Sequence, residues 1–206
     1  MLVLASMSPR RRMLLRDWGF QPEVIKVLVS EALADEINPR EGVQSLAERK
    51  ASAGVTEWRK LGGKPEDIVL GADTMVVLEK KILGKPRTSV EAQEMLYLLS
   101  SKRHLVLTGV AIIRLTGERE LAVVETEVNF RRLSKARIKA YVATGEPMDK
   151  AGAYAIQGGA QEFVESYSGS LSNVIGLPME YVSEKLKMWG IAQINIALRE
   201  VDHGIL

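Results

Sequence analysis

Apolar and polar residues fall along this chain in blocks whose periods alternate between strand and helix. Residues 1–6, MLVLAS, form a short apolar run of strand type. Ser8 then stands as a helix N-cap and Pro9 occupies a first-turn position, so residues 10–19, RRRMLLRDWG, are predicted to be a helix closed near Gly19. A second apolar, β-branched run, VIKVLV, covers residues 24–29. The stretch from Glu31 to Glu41 is acidic, contains Pro39 and reads as a loop into a helix over residues 42–61. Residues 67–83, DIVLGADTMVVLEKKIL, read as two strands or one interrupted strand. Residues 89–101 place Ala92, Met95, Leu96 and Leu99 on one face of an amphipathic helix.

The second half continues the alternation. Residues 104–133 carry the β-branched pattern of a hairpin turning at Thr116-Gly117. A helix capped by Ser134 stops before Pro147, a long segment rich in Gly, Ser and other small residues follows, and residues 178–190 close as another helix. Alternating strands and helices predict an α/β fold, and the late hairpin predicts a mixed rather than all-parallel sheet. No internal repeat or linker interrupts the 206 residues, so one domain over 1–206 is expected.

Composition narrows the function classes. Apolar residues make up 46% and charged residues 26%, the balance of a globular chain able to bury a core. The net charge of +2 and an aromatic share of 5% argue against a general nucleic-acid or membrane-surface binder, so any positive field comes from local clustering. With no cysteine there is no disulfide, thiolate site or Cys nucleophile. No apolar run approaches the ~20 residues needed to cross a bilayer. The opening also lacks the basic-then-apolar order of a signal peptide, so a cytoplasmic protein is expected.

Several stretches carry candidate chemistry. A strand running into a helix N-terminus aims free N–H groups and the positive dipole end at one spot. Ser8 and the arginines Arg10, Arg11 and Arg12 add donors there, which makes a phosphate site, although arginine runs are also ordinary solvated surface. Asp73 sits among apolar strand residues, where a carboxylate is costly unless paired, hydrogen-bonded or metal-bound; a turn hydrogen bond at a strand end is the plainer alternative. Lys50 in LAERKA and Lys85 in ILGKP each either reach a phosphate or are solvated. In the loop from Asp149 to Gly158 small residues permit close backbone approach to a ligand, and Gln157 offers an amide able to read a base edge; a packing loop is the alternative. His104 and His203 are too far apart for a ligand pair, and P-loop, HExxH and GxSxG motifs are absent.

Taken together and in order, LASMSPRRRMLL, LAERKA, VLGADTMVV, ILGKP, TEVNF, GEPMDKAGAYAIQG and GSLSNVIGLP resemble the Maf family of nucleotide pyrophosphatases, from residue 2 to about residue 190. The resemblance implies an α/β fold similar to inosine triphosphate pyrophosphatase, with two lobes flanking a cleft. It also implies divalent-metal-dependent (Mg²⁺ or Mn²⁺) hydrolysis of a nucleoside triphosphate to the monophosphate and pyrophosphate, and a homodimer. By motif position, Asp73 matches the catalytic acid, and Ser8, Arg11, Lys50 and Lys85 match phosphate-handling positions. Arg10, Thr74 and Gln157 match the branch acting on dTTP and UTP, where the 7-methyl-GTP branch tends to have Trp, Gln and Glu. Modified pyrimidine nucleotides are further candidate substrates. Asp73 either deprotonates the attacking water or binds the metal.

Two departures from the family pattern stand out. The acidic loop SEALADEINP is spaced unusually, leaving Glu31, Asp35 and Glu36 as candidates for a metal-binding acid, with Glu36 favoured. Leu171 replaces the usual aromatic of the GSYSN stretch. A nucleotide-binding regulator of cell division, with incidental hydrolysis, is the alternative function.

Overall fold

The computed structural model describes residues 1–34 and 36–194; Asp35 and His203 lie outside the described residues. Its framework is a mixed seven-stranded sheet. The strands are β1 (Leu2–Leu4), β2 (Glu23–Val24), β3 (Ile68–Leu78), β4 (Lys81–Leu83), β5 (Arg103–Arg114), β6 (Arg119–Phe130) and β7 (Val164–Ser168). Their order is β2-β1-β3-β5-β6-β7, with β4 pairing β3 off this path. Only the β1 pairings, with β2 and β3, are parallel; the other pairings are antiparallel. The helices are α1 (Pro9–Asp17), α2 (Pro39–Lys60), α3 (Ser89–Leu99), α4 (Lys135–Ala143), α5 (Leu171–Ile175) and α6 (Met179–Met188).

The period-two alternation of β3 explains the layering. Ile68, Leu70, Ala72, Val76 and Leu78 point into a large core shared with α1, α3, α4 and α6, while Val69, Met75 and Val77 face α2 on the other side. Because β3 is covered on both faces, it reads as a nearly continuous apolar run rather than an alternating one. It is one uninterrupted strand of 11 residues, so the expected interruption between residues 67 and 83 falls only after Leu78, before β4.

Helix α2 begins at Pro39, three residues earlier than predicted at residue 42, because the Asn38 side chain accepts a hydrogen bond from the Arg40 N–H at 2.9 Å and caps the helix. Its buried stripe of Gly42, Val43, Leu46, Ala47, Ala51, Gly54 and Val55 is small enough for the helix to lie unusually close to the sheet. A Cβ on Gly71 would stand 2.5 Å from the Ala47 carbonyl oxygen, and one on Gly109 would collide with the Val43 carbonyl. These two sheet glycines are therefore required by the approach of a helix backbone.

The remaining differences have local causes. In the run VIKVLV only Val24 is paired, since β1 offers a partner for two residues; Ile25 is buried but Leu28 is fully exposed. Edge strand β7, with sequence VESYS and mostly exposed, and the five-residue helix α5 lie inside the segment read as a long loop.

Candidate active site

The sheet itself creates the opening. Strand β1 pairs with β3 only as far as Leu70, and β4 joins β3 only from Val76 onward. Between them β3 has a neighbour on one side alone, β5, and Ala72, Asp73 and Thr74 lie along that open edge. A cleft of about 760 Å³ fills the gap, at the carboxyl end of a parallel strand where open α/β sheets place their ligands. It is lined by the β1–α1 turn, α2, β3 and the loops near Lys85, Asp149–Gly158 and Val174–Gly176.

Asp73 and Thr74 point to opposite faces of β3 and meet different partners. Asp73 faces α2, where Lys50 Nζ approaches its Oδ1 at 2.5 Å. The same ammonium donates to Glu31 Oε1 at 2.8 Å, so one lysine bridges two carboxylates. Both Lys50 and Asp73 side chains are largely buried, whereas Glu31 is 58% exposed. The hydrogen bond from Lys50, with the charges of Lys85 and Arg11 behind it, holds the Glu31 carboxyl below its ordinary value.

Thr74 faces α1. Its hydroxyl accepts from Arg11 Nη2 at 3.1 Å and lies 3.0 Å from the Thr108 hydroxyl, which donates to the Asn173 carbonyl. Arg11 Nε donates to the Gly176 carbonyl at 2.8 Å, and Nη1 to Ser6 Oγ at 3.3 Å. All three guanidinium nitrogens are thus anchored by neutral oxygens. Burial lowers the Arg11 pKa, partly offset by the Asp73 charge. The arginine run divides: Arg10 and Arg11 turn into the cleft, and Arg12 faces solvent.

Ser8 occupies the N-cap position of α1 in an extended conformation, yet its side chain makes no capping hydrogen bond, which leaves the hydroxyl available to the cleft beside the helix N-terminus. Lys85 lines the cleft from an exposed turn. Gln157 lines it from a loop fixed from behind: Glu146 accepts from the Gly159 N–H at 3.1 Å and from the Tyr141 hydroxyl at 3.1 Å, and that hydroxyl accepts from the Ala155 N–H.

Ser8, Arg10, Arg11, Lys50, Asp73, Thr74, Lys85 and Gln157 all line this one cleft. Glu36 does not; it is exposed, with φ of 61°, and of the acidic-loop residues described it is Glu31 that reaches the cleft wall. The Thr74 hydroxyl, a candidate base reader, is committed to holding Arg11. Sequence reasoning missed Ser6, Asp149 and Lys150 as lining residues, and Thr108 as the support behind Thr74. Asp149 and Lys150 open the loop read as approaching a ligand through its backbone and Gln157, with no role given to their own side chains; Ser6 and Thr108 carried no signal of their own.

A hard divalent cation suits the donors present. Glu31 and Asp73 offer only carboxylate oxygens and already converge on a positive charge, the Lys50 ammonium. No group of three or more His, Cys, Asp or Glu that could hold a metal occurs among the described residues, so a cation held by Glu31 and Asp73 would need oxygen ligands from substrate or water.

The chain has relatives of known name and structure. A dTTP/UTP pyrophosphatase of Desulfitobacterium hafniense is 54% identical over 205 residues, covering 100% of this chain and 92% of that one. A dTTP/UTP pyrophosphatase of Desulforamulus reducens is 47% identical over 191 residues, covering 92% and 97%. Among solved structures, a nucleoside-triphosphatase / dITP/XTP pyrophosphatase of Mycobacterium abscessus aligns over 99% of both chains at 11% identity and a TM-score of 0.43. The family model described as Maf-like protein matches residues 1–189, and the chain belongs to that family.

Proposed function

We propose that this protein hydrolyses dTTP and UTP between the α and β phosphorus atoms, giving the monophosphate and pyrophosphate. The observation that supports this most is the convergence, at an open strand edge, of the Glu31–Lys50–Asp73 charge bridge with the Ser8 helix N-terminus and the anchored Arg11. Relatives at 47–54% identity carry that name.

A triphosphate brings about four negative charges, and its cleavage is chiefly a matter of positioning and neutralisation. Arg11 is preorganised: its guanidinium is fixed by Gly176, Thr74 and Ser6, so it stabilises developing phosphate charge without reorganising. Ser8 and the first N–H groups of α1 hold further phosphate oxygens. Lys50 and Lys85 supply point charges along the chain of phosphates. Asp73 uses Oδ1 for Lys50, and its other oxygen orients the attacking water and accepts its proton. The water oxygen bonds to the α phosphorus as the bond to the bridging oxygen breaks, and pyrophosphate leaves. A Mg²⁺ or Mn²⁺ held by Glu31 and Asp73 would supply Lewis-acid neutralisation of the phosphate oxygens. Arg10 and Gln157, which both line the cleft, are the residues this reading assigns to sugar and base.

The test is a panel of nucleoside triphosphates, including 7-methyl-GTP and modified pyrimidines, incubated with Mg²⁺ or Mn²⁺ and resolved by chromatography. UMP and dTMP with pyrophosphate are expected. Turnover of 7-methyl-GTP instead would overturn the base assignment, and no turnover of any nucleotide would leave a nucleotide-binding regulator.

A further inference from the structure

Five cationic side chains line the cleft: Arg10, Arg11, Lys50 and Lys85, which the proposed reaction uses, and Lys150, which it does not. Lys150 is only 13% exposed, yet its ammonium has a single side-chain partner among the described residues, the carboxylate of its own neighbour Asp149. Burying an ammonium is unfavourable unless something is gained. A pair between consecutive residues ties no two elements together, and the Asp149 side chain is 71% exposed, so the pair does little for the fold. Lys50 differs, since it joins α2 to β3 and to the Glu31 loop.

The backbone around Lys150 is built to hold it there. The Lys150 N–H donates to the Pro147 carbonyl at 3.1 Å, and the Gly152 N–H donates to the Gly84 carbonyl at 3.0 Å, which fastens this turn to the one bearing Lys85. Ala153 is kept at φ of 60°, a left-handed conformation that costs an alanine about 1 kcal/mol and persists only where the surroundings impose it. A strained turn thus presents a lysine to the same cleft as Lys85.

Building on the triphosphate reading of the cleft, we infer that Lys150 is a substrate-binding residue whose ammonium exchanges Asp149 for a phosphate oxygen when the polyphosphate enters. Asp149 is the resident counterion: it holds the lysine turned inward in the free protein, and competes with substrate for it. Removing either member of the pair should therefore move affinity in opposite directions, which a merely structural pair would not do.

Calorimetric titration with inorganic tripolyphosphate in the presence of Mg²⁺, on the intact chain, tests this. Lys150→Gln should bind about tenfold more weakly, as loss of one charge-assisted hydrogen bond implies. Lys150→Arg should stay within about threefold of the parent, and Asp149→Asn should bind about threefold more tightly. Thermal midpoints report whether each variant folds, and Lys150→Arg against Asp149→Asn keeps the comparison open if Lys150→Gln does not. Unchanged affinity in Lys150→Gln, or weakening in Asp149→Asn to match it, would overturn the inference. Binding of tripolyphosphate by the parent protein without pyrophosphate release from dTTP or UTP would remove the proposed activity but keep Lys150. Turnover with Lys150→Gln binding normally would remove Lys150 alone.

Discussion

His104 gives a quantitative prediction that needs no substrate. The ring is 1% exposed, packed edge-on against Phe130 and Tyr154 at centroid distances of 4.9 and 5.5 Å, with Nε2 2.8 Å from the Tyr154 hydroxyl. Burial pushes its pKa from 6.5 down to about 4. Above pH 7 the imidazole is neutral whether the chain is folded or not, so stability there is level. Below 6.5 the unfolded chain takes up a proton that the folded one refuses, and stability falls until the folded value near 4 is reached. At 1.36 kcal/mol per unit, the loss between pH 7.5 and pH 5 is about 2 kcal/mol from this one group. The lowered carboxyls of Glu31 and Asp67 lose their contribution only as pH falls below their ordinary 4.5 and 3.8, which leaves this window to His104. Urea denaturation of the parent and of His104→Gln at pH 7.5, 6 and 5 isolates the effect. The parent should lose about 2 kcal/mol more than the variant across the series; parallel losses would show that His104 does not carry the pH dependence. Because Tyr154 lines the cleft, the same protonation should disturb the site as well as the core.

Other outcomes follow from the packing and the site. Gly71→Ala places a methyl 2.5 Å from the Ala47 carbonyl and should cost about 1–3 kcal/mol in chemical denaturation, with activity falling further than stability because Lys50 is displaced from Asp73. Thr74→Val removes an anchor of Arg11 and should lower kcat/KM about tenfold, while Thr74→Ser retains most of it, as steady-state kinetics on UTP would show. Gln157→Glu should shift the ratio of kcat/KM values among nucleotides more than it lowers the total rate, which competition between UTP and other triphosphates measures.

Much of the site was legible because polar residues stood where local structure had no use for them. Asp73 interrupts an apolar strand, and cations at Arg10 and Arg11 crowd a helix N-terminus, where the dipole disfavours them. Each is at the cleft. Other features lacked such a conflict. Strand β7 is an exposed edge of polar residues, so it has no apolar alternation to betray it, and α5 is too short to show a helical period. The choice between Glu31 and Glu36 turns on the path of an irregular loop, which no periodicity encodes; only the reach of Lys50 across 19 positions selects Glu31. The closeness of α2 to β3 was also invisible, since Gly71 and Gly109 acquire their meaning only when helix and sheet meet. Asp149-Lys150 reads as a plain charged pair until the turn beyond it is seen pinned to Gly84.

In this mechanism Asp73, gripped by Lys50 at an open strand edge, activates water against a bound pyrimidine triphosphate. Its most direct test is pyrophosphate release from UTP by Asp73→Asn beside the parent protein, with UTP binding and thermal midpoint measured on both. Asp73→Asn should lose at least about a thousandfold in kcat with binding and fold retained. Release at the parent rate by a folded Asp73→Asn protein would contradict it.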